Sequence, residues 1–282
     1  MYLFSRVDQI QRLLRQWKSE GRSIGFVPTM GALHQGHLAL LEQCLNEGNV
    51  AVCSIFVNPT QFNQESDLEK YPRTPAKDIE MLIGVGCNVL FMPPVAEIYR
   101  PGLVTTLDLP LGHLETTMEG RFRPGHFAGV VQVVKRLLDI VEPAKLYMGQ
   151  KDYQQVAVVR HLINALQLPV ELIMAPTVRE ADGLAMSSRN VRLSPGQRQK
   201  APLIYQTLQQ AKALAPHTPP SEISAQCLQI LETGGFRPEY FDIVDAETLN
   251  PVTDLAPTRQ KVACVAAWLG DVRLIDNLPL NE

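Results

Sequence analysis

Apolar positions in the first part of this chain alternate between two patterns. Val7, Ile10, Leu13, Leu14 and Trp17 recur at helical spacing, which predicts an amphipathic helix over residues 6–20, with Ser5 as N-cap and Gly21 as stop. Ile24 to Val27 is a short apolar run that predicts a buried strand; it breaks at Pro28, turns through Gly31, and gives way to a helical pattern from Gly36. Val50 to Phe62, β-branched and stopped by Asn58-Pro59, reads as a central parallel strand with both faces buried. Thr74 to Gly84 predicts a helix, and Cys87 to Pro94 a strand ended by a double proline. Between Pro101 and Pro124 the pattern weakens to a short strand at Thr105 to Leu109, followed by a glycine-rich, basic loop over Met118 to Phe127. Helix resumes from Gly129 to Val141. Lys145 to Leu166 then repeats strand, glycine turn and helix, and Val170 to Ala175 is a further strand.

Strands alternating with helices in this way imply a parallel sheet with right-handed crossovers, a Rossmann-like α/β layer with helices on both faces. From Pro176 the character changes. Thr177 to Pro195 is polar and loop-rich; Ser194 caps a helix to about Ala215, Thr218 to Pro220 interrupts, and Ser221 begins another to about Thr233. The period then becomes two over Tyr240 to Val244, Val262 to Trp268 and Val272 to Ile275, the last pair joined by a Gly270-Asp271 hairpin turn. The reading is therefore two domains, 1–176 and a smaller C-terminal α+β domain, 177–282.

Composition narrows the partners. With 26 basic against 29 acidic residues, a net charge of −3 and no long block of either sign, nothing points to nucleic acid or an anionic membrane. A small-molecule partner follows. Five scattered cysteines without a C-x-x-C spacing argue against a disulfide framework or zinc knuckle and read as reduced, buried thiols. No signal-peptide core or bilayer-length apolar run is present, so the expected compartment is the cytoplasm.

The candidate chemistry lies just past strands. His34 and His37 sit where the first loop becomes a helix, and unpaired backbone N–H groups there favour an anion such as a nucleotide phosphate. Gly31 and Gly36 let backbone approach such a ligand. Asn58 and Gln61 follow the second buried strand, Lys151, Asp152 and Gln155 follow the Lys145 strand, and Ser187, Ser188 and Arg189 lie in the polar loop. Each has a plainer reading: two histidines at i and i+3 also fill a helix face or cap a turn, and glutamines, serines and lone cations also decorate solvated loops. A zinc site is disfavoured, because no third ligand stands at a recognisable spacing.

Five runs, PTMGALHQGH (28–37), FVNPTQF (56–62), GRFRPGHFAGV (120–130), MGQKDYQQ (148–155) and DGLAMSSRN (182–190), resemble the pantothenate synthetase (pantoate–β-alanine ligase) family, in its order and over essentially the whole chain. His34-Gln35-Gly36-His37 resembles the H-x-G-H signature of the wider adenylyl-transferring superfamily. One departure is Gln150, where many members carry Glu. The resemblance implies that ATP is contacted by Met30, Gly31, Ala32, Leu33, His34, Gln35, Gly36 and His37, by Gly149, Gln150, Lys151 and Asp152, by the backbone of Val178, and by Met186, Ser187, Ser188 and Arg189. It implies catalytic roles for His37, His34 and Lys151, and pantoate and β-alanine binding by Gln61 and Gln155, with Asn58 assisting. It also implies Mg²⁺ arriving with ATP and held by no protein ligand, and a homodimer.

Overall fold

The apolar runs fold as strands because successive side chains are buried on opposite faces of one layer. In the computed structural model, which describes residues 1–62, 68–254 and 259–281, β1 (Tyr2–Phe4), β2 (Ile24–Thr29), β3 (Val50–Ile55), β4 (Val89–Phe91), β5 (Lys145–Gly149) and β6 (Glu171–Ala175) form a six-stranded sheet in the order β1-β4-β3-β2-β5-β6. Its pairings are parallel throughout. The main crossover helices are α1 (Val7–Ser19), α2 (Gln35–Asn46), α3 (Pro75–Gly84), α4 (His126–Val141) and α5 (Tyr153–Ala165). Val27, Ala51, Cys53 and Leu90 cluster with Leu41 and Cys44 of α2 and Leu82 of α3. The intervening Phe26, Val52, Val89 and Phe91 are as deeply buried and by the strand period face the other side, where α1 lies against α4 and α4 against β2. The chain is thus a Rossmann-like parallel sheet with helices on both faces.

Several local expectations change. β1 is an edge strand of three residues, too short to show a period. Residues 105–109 lie outside any strand, and Val104 and Leu107 beside and within them are exposed. The N-cap of α1 is Arg6 rather than Ser5, with no side-chain cap. The run from Val50 stops pairing at Ile55, because Asn58 caps a 3₁₀ turn over Pro59–Gln61. All five cysteines are buried and unbridged.

The remaining strands, β7 (Arg237–Asp245), β8 (Lys261–Leu269) and β9 (Val272–Pro279), form an antiparallel sheet in that order. Its core joins Phe241, Val265 and Leu274 to Ile204 and Leu208 of α6 (Leu203–Leu214) and Ile223 and Leu231 of α7 (Pro220–Thr233). The expected hairpin is present: Leu269 pairs with Val272 across Gly270-Asp271, and Gly270 takes φ +59°. Ser194 caps as expected, in a capping box with Gln197, but that helix ends at Lys200. Pro202 has no N–H to continue it, and α6 starts afresh. Two compact units result: Met1–Leu111, Arg123–Gly149 and Val158–Pro176 in the first, and Gly112–Phe122, Gln150–Ala157 and Thr177–Glu282 in the second.

Packing against β2 leaves no room at Gly25, where a Cβ would stand 2.3 Å from Cys44 Sγ and 2.9 Å from a Tyr147 ring carbon. Gly25→Ala is expected to destabilise the protein by about 1–3 kcal/mol, the usual scale of overpacking; urea unfolding measures it, and an unchanged midpoint would contradict this close contact.

Candidate active site

The sheet reverses its winding at β2. α2 leads from β2 to β3 on one side, while β5 lies on the other and leads on to β6. Ligands of open α/β sheets sit beyond the carboxyl ends of the strands at such a point. The chain leaves β2 there through two left-handed residues, Gly31 (φ +82°) and Ala32 (φ +49°). An alanine in that region costs about 1 kcal/mol, and a buried carboxylate offsets it. Asp78 of α3 accepts the Ala32 N–H at 3.0 Å on one oxygen and the Leu33 N–H at 2.8 Å on the other, and the Thr74 hydroxyl donates to it at 3.0 Å. The Thr29 hydroxyl accepts the Gly31 N–H and donates to the Ser54 carbonyl.

His34 and His37 follow at the start of α2. The Gly36 N–H donates to His34 Nδ1 at 3.2 Å, and the His34 N–H donates to His37 Nδ1 at 3.3 Å, so the two side chains form a reciprocal cap, with ring centres 4.1 Å apart. The plain reading of this pair as helix caps therefore holds, and it has a chemical consequence. A ring whose Nδ1 accepts a hydrogen bond carries its proton on Nε2 when neutral, an assignment made from the hydrogen bonds. Each imidazole then presents an N–H donor from its other edge, beside the positive end of the helix dipole.

Past β3, the turn that carries Gln61 is held from several sides. Asn58, 1% exposed, donates to Gln61 Oε1 at 3.2 Å and to the Gly129 carbonyl at 3.1 Å, and its oxygen accepts from the Thr60 N–H, the Thr60 hydroxyl and the Tyr99 hydroxyl. All of these hydrogen bonds lie within the protein, and they seat Gln61. His126 Nδ1 lies 2.8 Å from the Gln61 carbonyl, and Gln61 Nε2 points at Met30 Sδ. At Gly129, α4 meets the turn backbone to backbone: a Cβ would come within 2.3 Å of the Thr60 carbonyl oxygen.

Within the second unit, Gln150–Asp152 forms a 3₁₀ turn leading into α5. Asn277 donates to the carbonyls of both Gln150 and Lys151. The adjacent glutamines part company: Gln154 is buried and ties the Glu119 N–H to the carbonyls of Leu114 and Thr117, whereas Gln155 is half-buried. Val178 and Met186 are joined by a backbone hydrogen bond at 3.0 Å, and Ser187 caps a 3₁₀ turn over Ser188–Arg192 by accepting the Arg189 N–H. Thr177 Oγ1 and Asn190 Oδ1 of this segment are buried without a hydrogen-bond partner. Among the described residues no group of three or more His, Cys, Asp or Glu could hold a metal, and no helix is long and apolar enough to cross a membrane.

Sequence reasoning missed Asp78, Gly129, His126 and Asn277. A signal existed for the last: Asp276-Asn277 follows the apolar pair Leu274-Ile275 within a strand.

A doubly wound parallel sheet with paired imidazoles capping the helix at its switch point places the chain among the open α/β proteins. The family model described as pantoate-beta-alanine ligase matches residues 2–279, and the chain belongs to that family of enzymes. It is 44% identical over 283 residues to the pantothenate synthetase of Porphyromonas gingivalis (strain ATCC BAA-308 / W83), covering all of both chains. To that of Pseudomonas fluorescens (strain Pf0-1) it is 46% identical over 278 residues, covering 98% of this chain and 96% of the other. The crystal structure of pantothenate synthetase from Thermus thermophilus superposes with a TM-score of 0.92 at 42% identity over the whole of both chains. A pantoate-beta-alanine ligase from Francisella tularensis, complexed with beta-gamma ATP and beta-alanine, superposes at 0.83 with 33% identity, covering 99% of this chain and 98% of that one.

Removing the Asp78 carboxylate strands two backbone N–H groups, each worth about 1–3 kcal/mol when buried and unpaired. Asp78→Ala is expected to lose stability on that scale in urea unfolding, with Asp78→Asn recovering part of it through its one acceptor; equal stability of all three proteins would refute the clamp.

Proposed function

We propose that this chain condenses (R)-pantoate with β-alanine at the expense of ATP, through a pantoyl adenylate, releasing AMP and pyrophosphate. The observation that supports this most is the reciprocally capped His34–His37 pair, whose Nε2–H donors stand at the helix start of the switch point in a chain of this family. In the first step a pantoate carboxylate oxygen attacks the α-phosphorus of ATP, the bond from that phosphorus to the bridging oxygen breaks, and pyrophosphate leaves. Negative charge builds in line between nucleophile and leaving group, and fixed donors stabilise it most. His37 supplies the principal donor and His34 assists it.

Lys151 and Arg189 neutralise the phosphates, with Ser187 and Ser188 and the backbone of residues 30–36, 149–152, 178 and 186 holding the rest of the nucleotide. Mg²⁺ supplies further charge neutralisation when bound with the ATP phosphates. Gln61 and Gln155 hold pantoate, since an amide both donates to a carboxylate and pairs with hydroxyls; Asn58 serves by seating Gln61. In the second step the amine of β-alanine attacks the acyl carbon, AMP leaves with the bonding pair, and the amine proton passes to solvent. Water must be kept from the adenylate in between. The same reading takes the enzyme to be a cytoplasmic homodimer, on family resemblance alone.

The deciding experiment supplies ATP and pantoate with and without β-alanine. Pantoate-dependent exchange of labelled pyrophosphate into ATP should occur without the amine, and AMP should be released only with it. No exchange, or AMP release indifferent to β-alanine, would overturn the reading. His37→Ala is expected to lower kcat by about 100-fold or more, as when one transition-state donor is lost; near-normal turnover would remove that role. Gln155→Ala should weaken pantoate binding more than ATP binding in calorimetric titrations, and equal losses would contradict the assignment.

A further inference from the structure

Two adjacent polar residues of β9 are almost fully buried. Asp276 and Asn277 are 2% and 1% exposed, and burying a carboxylate beside an amide is unfavourable unless every polar atom is satisfied. Both are satisfied, by the segments assigned to ATP. Asn277 directs Nδ2 at two consecutive carbonyls, those of Gln150 and Lys151, each at 2.9 Å, while its Oδ1 accepts from Gln150 Nε2 at 3.1 Å. One amide thus grips both peptide units of the turn, and neither can rotate without losing a bond. Asp276 in turn seats Asn277: its Oδ1 accepts the Asn277 N–H at 2.8 Å, and its carboxylate takes Arg179 in a two-pronged pair at 2.6 and 3.0 Å. Arg179 also donates to the carbonyls of Gly183 and Asn277 and stacks on Tyr205 with 3.8 Å to the ring centre. It stands next to Val178.

We propose that Asn277, seated by Asp276 and Arg179, is a positioning residue for the nucleotide step. It sets the Gln150–Lys151 turn and thereby the approach of the Lys151 ammonium to the ATP phosphates. The proposal rests on the reading of Lys151 given above. A polar pair that merely stabilised the strand would, when removed, lower stability without favouring one substrate over another or depending on Lys151.

The test is a double-mutant cycle of Asn277→Ala with Lys151→Ala, reading kcat, the KM for each substrate and the thermal midpoint. Asn277→Ala should lower kcat/KM for ATP by about 10-fold, on the scale of the hydrogen bonds removed, with the KM for β-alanine unchanged. In the Lys151→Ala background the same substitution should change it by less than about twofold, because coupled residues are not additive. Asn277→Asp, which keeps the shape and loses the donors, carries the same cycle if the alanine variant does not fold. A full loss repeated in the Lys151→Ala background would overturn the positioning role and leave the Lys151 reading standing. Normal ATP kinetics in Lys151→Ala alone would overturn that reading, and this proposal with it.

Discussion

A parallel sheet covered on both faces has no wet side, and this constraint decides where the chemistry of the first unit can be. A polar group projecting from mid-strand must find a protein partner or remain unsatisfied. Tyr147 is the instructive case. It is fully buried within β5, and its hydroxyl donates to Glu47 at 2.8 Å and accepts from Asn49 at 2.9 Å, both near the amino end of β3. Burial and the neighbouring Glu47 both push the Tyr147 phenol up, so it stays a neutral donor. At the carboxyl end of β2 the chain turns instead, and there Thr29, Asp78 and the two histidines take up the backbone N–H groups that the strand leaves.

Turning there requires conformations that side chains resist. The Thr29 hydroxyl accepts the Gly31 N–H and Asp78 of α3 accepts those of Ala32 and Leu33, which holds the left-handed pair, and the two histidines that follow cap α2 through their Nδ1 atoms. The capping hydrogen bonds decide which edge donates, so the histidines are oriented by the helix they start.

Much of this was legible in the sequence. Strand-helix alternation gave the parallel layer, the change to period two gave the antiparallel one, and Gly270-Asp271 gave the hairpin. The failures share a cause, which is that local pattern cannot see distant partners. Asp78 looks like an ordinary first-turn acid on α3, yet its hydrogen bonds go to residues 45 and 46 positions earlier. Gln154 and Gln155 are indistinguishable as letters, and only the carbonyls of Leu114 and Thr117 separate them. Asn58 was placed correctly at a strand end, but its hydrogen bonds with Gly129, Tyr99 and Thr60 belong to the tertiary structure. Residues 105–109 show the converse: an alternating pattern without a neighbouring strand to pair with makes no strand.

The contact at Gly129 bears on how firmly Gln61 is held. A side-chain wall can change rotamer, and its give is that of the softest torsion in it. Here helix backbone lies directly on turn backbone, with 2.7 Å between the position of an absent Cβ and Gln61 Cα. There is no torsion to yield. The seat of the Gln61 backbone is therefore built from the backbone of α4, a sixteen-residue helix, rather than from side chains.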